Sequence, residues 1–242
     1  MATIDFFPAD ERGHTRLSWL DSRHSFNFGS WFHPERRGFG LLRVLNDDVL
    51  APGAGFDSHP HDNMEIISIP LEGSLQHRDS MGNHDIISAG QVQAMSSGTG
   101  IFHSEYNAST LSAVRFLQIW ILPRRRNMPP LYQKVTIDYG QLENNFTEIA
   151  GPDEKPGSLQ IRQHARLFLG RFQEGNWEIP IPADKNSGTF VFLIQGKIRI
   201  FDSDLADRDA IGIRECTSME LKVLQPSFVL LMQVPMQQQL IQ

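Results

Sequence analysis

The chain has 242 residues, of which 40% are apolar and 21% charged, the balance of a folded globular protein with a sizeable core rather than of a disordered or fibrous one. Its formal charge of -6 works against non-specific attraction to nucleic-acid phosphates or to an anionic membrane, so neither is expected as a direct partner. Cys216 is the only cysteine, which excludes an intramolecular disulfide and a cysteine-based zinc site, fits a reducing compartment, and reads as a small hydrophobe.

Met1 to Pro8 lacks the basic stretch and apolar run of a signal peptide, and no later window approaches ~18 uninterrupted apolar residues, so a cytoplasmic location is expected. From Gly40 onward the chain reads as short apolar or alternating runs, clearest at Leu41 to Leu45, Glu65 to Leu71, Val114 to Leu122, Thr189 to Ile194 and Phe228 to Val234. Turn residues separate them at 51–55, 80–83 and 96–100. No long stretch carries a 3.6-residue apolar period. Many short strands predict an antiparallel barrel or sandwich.

A weak internal repeat aligns Leu71 to Ser80 with Ile194 to Ser203, in each case strand, glycine, strand, Asp-Ser. It predicts two similar barrels. Pro123 to Ser158 is rich in proline, glycine and polar residues and is expected to be the connection, with Arg124, Arg125 and Arg126 solvated within it. The boundary is placed near residue 145, giving units 1–145 and 146–242.

Two short motifs carry the chemistry. His59-Pro60-His61 places two imidazoles two residues apart, hence on one face of a strand. His103-Ser104-Glu105 repeats the spacing with a carboxylate in second place. Three imidazoles and one carboxylate suit Fe, Mn, Co, Ni, Cu or Zn better than Mg or Ca, and on a six-coordinate ion they leave two positions open. His77 and His84 flank the turn at 80–83 and read as ordinary hairpin residues. His24 reads as a packed, hydrogen-bonded histidine, and His14, His33 and His164 have no partner at ligand spacing. Carrying the repeat back from Gly196 puts Pro182 and Asp184 where His59 and His61 stand, and Gly188 where Glu65 stands. With no histidine after His164, one metal per chain is expected, and a packing or gating role for the second barrel.

The surroundings of the motifs extend the pattern. Gly53 precedes His59, Glu65 follows His61, Gly73 ends the next run, and Met95-Ser96-Ser97-Gly98-Thr99-Gly100-Ile101-Phe102-His103-Ser104-Glu105 leads to Asn107. This spacing resembles both cupin motifs, and the last segment, with Trp19 to Gly29 and Leu42 to Asp48, is similar to the pirin family. The resemblance implies an all-β bicupin, two antiparallel jelly-roll barrels with a metal-binding N-terminal and a metal-free C-terminal member. It implies one divalent metal, commonly Fe(II), held by His59, His61, His103 and Glu105, and it selects Glu105 over Glu65, the fourth ligand of many other cupins.

The resemblance also implies a reaction: metal-dependent oxygenolytic ring cleavage of a flavonol such as quercetin, with dioxygen as co-substrate and Glu105 as the catalytic proton acceptor. An alternative from the same family is an iron-dependent redox-sensing regulator that binds a protein partner. A metal-dependent isomerase would differ from the first reading in turning over without oxygen.

Overall fold

A computed structural model describes residues 2–181 and 186–237. Twenty strands and two short 3-10 helices occur among the described residues, arranged in sheets of seven, four and nine strands. The first barrel faces the seven-stranded sheet, whose central members are Gln91–Ser96, Glu65–Glu72, Val114–Ile121 and Leu42–Leu50, against Gly55–His61, Ile101–Asn107, Ser74–Asp79 and His84–Ser88. The nine-stranded sheet forms the second. Its long strands Ser187–Ile200 and Ser218–Pro235 overrun the expected apolar cores because bulges between Leu193 and Ile198, with Gly196 at a φ of 110°, let the ladder bend rather than stop.

The seven-stranded sheet is buried on both faces, and residue parity decides which face each side chain takes. Ile67, Ile69, Leu117, Ile119 and Ile121 point outward and meet Leu167, Leu169, Phe190, Phe192, Leu230 and Met232 of the nine-stranded sheet in the largest core of the molecule. Ser68, Gln93 and Gln118, of opposite parity, point into the first barrel, where they are hydrogen-bonded to one another and to Glu105. The sequence therefore shows a nearly continuous apolar run at Glu65 to Leu71 where a one-faced sheet would alternate. Asp47 crosses between the barrels to Arg208 Nε at 2.9 Å.

The two barrels repeat one ladder with different contents. Gln118 pairs with Asn46 on one side and Ser68 on the other. At the corresponding places of the second barrel, Leu231 pairs with Phe168 and Val191. The first interior is thus polar, and the second is packed with Val191, Leu193, Ile211, Ile213, Leu221, Val229 and Leu231. Gly188 is held by close packing, since a Cβ there would meet the Phe39 ring at 2.7 Å. Pro182 and Asp184 lie outside the described residues.

One expectation is corrected. The segment from Pro123 to Ser158 is no plain connection: Leu131–Thr136 pairs with Gln91–Ser96, Asn145–Gly151 pairs with Arg166–Phe172, and Ile137, Leu142 and Ile149 enter the shared core. Its apolar residues are separated by polar ones and by the 3-10 turn Tyr139–Leu142, so neither strand carries a continuous apolar run. The chain's first strand, Thr3–Phe7, pairs with Ala210–Arg214 in the nine-stranded sheet. We keep the division into 1–145 and 146–242 as a proposal, with that strand reaching across it.

Candidate metal centre

His59 and His61 lie on Gly55–His61, which pairs antiparallel with Ile101–Asn107 so that His103 stands opposite His59. The three ring centroids lie 4.5 to 4.9 Å apart. One ring nitrogen from each lies within 4.8 Å of the others, the convergence a metal ion requires. His59 Nδ1 donates to the Asp57 carbonyl at 2.7 Å, which fixes its tautomer and leaves Nε2 as a lone pair. His103 is 2% exposed, and among the described residues neither of its ring nitrogens has a hydrogen-bond partner. Burial, then the neighbouring imidazoles, pushes His61 down to about 4 and His103 to about 3, so both are neutral and ligand-ready at physiological pH. These donors fit a borderline transition-metal ion.

Glu105 is 1% exposed. A β-bulge between His103 and Glu105 shifts its register against Gly55–His61. Gln93 Nε2 donates to Oε1 at 2.9 Å, Gln118 Nε2 to Oε2 at 2.6 Å, and Ser68 Oγ lies 3.0 Å from Oε1. Glu105, His103 and His77 form a second trio whose ligand atoms lie within 4.8 Å of one another. Glu65 faces elsewhere. Its Oε2 accepts from Ser96 Oγ at 2.6 Å and from the Arg162 backbone N at 3.0 Å, tying the first barrel to a loop before the second. His61 and Glu65 belong to different sheets, so their even spacing in sequence does not put them on a shared face.

His59, His61 and Glu105 line a cavity of about 360 Å³. Leu20, Phe28, Phe56 and Trp120 give it apolar and aromatic walls, and Trp120 meets His61 edge-on at 4.8 Å. Ser22, His24, Asn46 and Asp48 form a polar wall. There His24 pairs with Thr15 Oγ1 at 2.9 Å and Asn46 Oδ1 at 3.0 Å, and Ser22 Oγ donates to Asp48. His24 is the packed, hydrogen-bonded residue expected and also lines the cavity.

Burial raises the Asp48 carboxyl to about 7, against the pull of the Ser22 hydroxyl. The folded state then binds this proton more tightly than the unfolded chain, whose Asp titrates near 4, so stability falls as pH rises from roughly 4 to 7. Asp48→Asn is expected to raise the melting temperature of metal-free protein at about pH 8, with the gain vanishing near pH 4. Equal gains at both pH values would contradict this.

Reading the sequence missed Ser68, Gln93, Gln118, Asp48 and His77 as parts of the centre. Gln93 and Gln118 leave a signal, since each is a single amide between apolar neighbours, and buried polar groups are kept where they have partners. His77 shares its parity with Leu75 and Asp79 and points into the barrel, fully buried, where a hairpin residue had been expected.

Two antiparallel barrels, the first holding three convergent imidazoles and the second an apolar interior, define a bicupin with one candidate metal centre. The chain belongs to the pirin family. The family model "Pirin" matches residues 7–121, and the model "Quercetinase C-terminal cupin domain" matches 148–234. The chain is 36% identical over 228 residues to the quercetin 2,3-dioxygenase of Escherichia coli K12, covering 94% of this chain and 96% of that protein. Among solved structures, the crystal structure of YhhW from Escherichia coli superposes with a TM-score of 0.91 at 35% identity, covering 96% of this chain and 98% of that one. The nickel(II) complex of the same bacterial pirin gives a TM-score of 0.91 at 34% identity, covering 96% and 99%. No helix among the described residues is long and apolar enough to cross a membrane.

Proposed function

We propose that this chain is a metal-dependent dioxygenase that cleaves the ring of a flavonol such as quercetin and releases carbon monoxide. The observation that carries the reading is the convergence of three imidazoles, two of which, His59 and His61, line an aromatic-walled cavity with a polar side, in a relative of quercetin 2,3-dioxygenase. His59, His61 and His103 would hold one divalent transition metal, with Glu105 as the fourth ligand. Fe(II) is our first choice, and the same donors accept Mn, Co, Ni, Cu or Zn. Bound there, the ion supplies Lewis acidity toward a phenolic hydroxyl and the electronic means to engage dioxygen.

The residues around it do the rest. Phe28, Phe56 and Trp120 sandwich a flat aromatic substrate and exclude water. Ser22, Asn46 and Asp48 offer hydrogen-bond partners to its hydroxyl groups and fix which edge faces the imidazoles. Glu105 takes the proton of the 3-hydroxyl on a carboxylate oxygen, while Gln93 and Gln118 hold that carboxylate in place.

Anaerobic incubation with Fe(II) and quercetin, followed by oxygen, is expected to consume oxygen, open the ring and release carbon monoxide. Absence of turnover with every one of Fe, Mn, Co, Ni, Cu and Zn would overturn the proposal. Metal binding without turnover, with a surface that differs between Fe(II) and Fe(III), would favour the redox-sensing regulator instead.

A further inference from the structure

His77 is a buried imidazole beside the centre to which the proposed function gives no task. Its ring stacks on Tyr132, with centroids 4.6 Å apart and planes 17° from parallel, and it lies 5.4 Å from the His103 ring. Strand register places it there, since Ser74–Asp79 pairs with Ile101–Asn107 so that His77 stands opposite Glu105 and Asp79 opposite His103. All four side chains therefore share the barrel interior.

The hydrogen bonds assign the His77 tautomer. His77 Nε2 lies 3.2 Å from Asp79 Oδ2, and a carboxylate accepts, so Nε2 carries the hydrogen and Nδ1 of the neutral ring presents a lone pair. Asp79 is itself anchored by the Met81 and Asn83 backbone N–H groups, at 2.9 and 3.0 Å, and by Asn83 Nδ2 at 2.8 Å. His77 Nδ1 is buried and has no hydrogen-bond partner among the described residues, and the same holds for both nitrogens of His103. Atoms of His77, His103 and Glu105 lie within 4.8 Å of one another. A histidine that ligates a metal through one nitrogen needs an acceptor for the N–H on the other, and that acceptor sets its orientation.

We infer that His77 orients His103: the two rings are not hydrogen-bonded to each other here, and when His103 holds the ion through one nitrogen, its other N–H turns onto Nδ1 of His77, whose ring Asp79 holds. The chain Asp79–His77–His103 couples the hairpin turn at 80–83 to the metal centre. His77 is a positioning residue rather than a ligand. The inference rests on the reading of His103 as a ligand.

The test uses nickel(II) as probe, with its affinity for the full chain measured by competition against a chromophoric chelator and its nitrogen ligands counted by X-ray absorption. His77→Leu is expected to weaken binding about 10–100-fold with the same number of histidine ligands. His77→Gln, whose side-chain carbonyl can accept the same N–H, should recover much of the loss. Asp79→Asn presents an amide that permits the wrong His77 tautomer, and at least ~10-fold weakening is expected; it serves as well if His77→Leu fails to fold. Affinity within about twofold of wild type in both His77→Leu and Asp79→Asn would overturn the inference, as would loss of one histidine from the ion in His77→Leu, which would make His77 a ligand. Wild-type affinity in His103→Ala would overturn the site itself and this inference with it. Weakening in His103→Ala without weakening in the other two overturns only the inference.

Discussion

His103→Ala is expected to abolish stoichiometric metal binding and, with it, ring opening, while the double barrel still folds. His103 sits at the junction of the centre, within reach of His59 and His61 on one strand and of His77 and Glu105 around it. Loss of a partner that merely orients a ligand costs about 10–100-fold in metal affinity, and loss of the ligand itself should exceed that. Among the described residues neither ring nitrogen of His103 has a hydrogen-bond partner, so removing the imidazole breaks no hydrogen bond of the metal-free fold. Nickel(II) titration read with a thermal melt of the metal-free variant checks both parts. Near-wild-type affinity would exclude His103 as a ligand.

Phe190→Ala should act on the fold and not on the metal. Phe190 is fully buried where the rings of Phe7, Phe26 and Phe39 converge on it, with centroids 5.1, 5.6 and 5.4 Å away. Those rings come from the first strand and from the loops that lead into the seven-stranded sheet, so Phe190 joins the two barrels. Truncation of such a residue costs about 3–5 kcal/mol, a large part of the roughly 5–15 kcal/mol that holds a typical domain folded. Denaturant unfolding should show one transition at a much lower midpoint. A loss under about 1 kcal/mol, or selective unfolding of the second barrel, would show that the shared core does not couple them.

Much of this was legible in the sequence, and the reason differs by element. Strands such as Glu65–Glu72 and Val114–Ile121 announced themselves because burial on both faces makes their residues mostly apolar, with Ser68 and Gln118 as the polar exceptions. His59 and His61 were legible as a pair because a two-residue spacing is a statement about side-chain direction within one strand, whereas the place of His103 opposite His59 comes from strand pairing. That logic stops at the strand's end, which is why Glu65 could not be placed from His61 and why His77 and Asp48 were overlooked. Their roles depend on cross-strand register, and register is set by pairing, which local sequence does not record. The pairing of Thr3–Phe7 with Ala210–Arg214 is the extreme case, joining residues about two hundred positions apart.

The central claim is that one transition-metal ion is held in the first barrel. Elemental analysis of wild type and of His61→Ala, each purified without added metal, tests it most directly. The account predicts about one equivalent of a transition metal per chain in wild type and little in the variant, from the convergence of the three imidazoles. Equal metal in both, or none in wild type even after incubation with divalent ions, would contradict it.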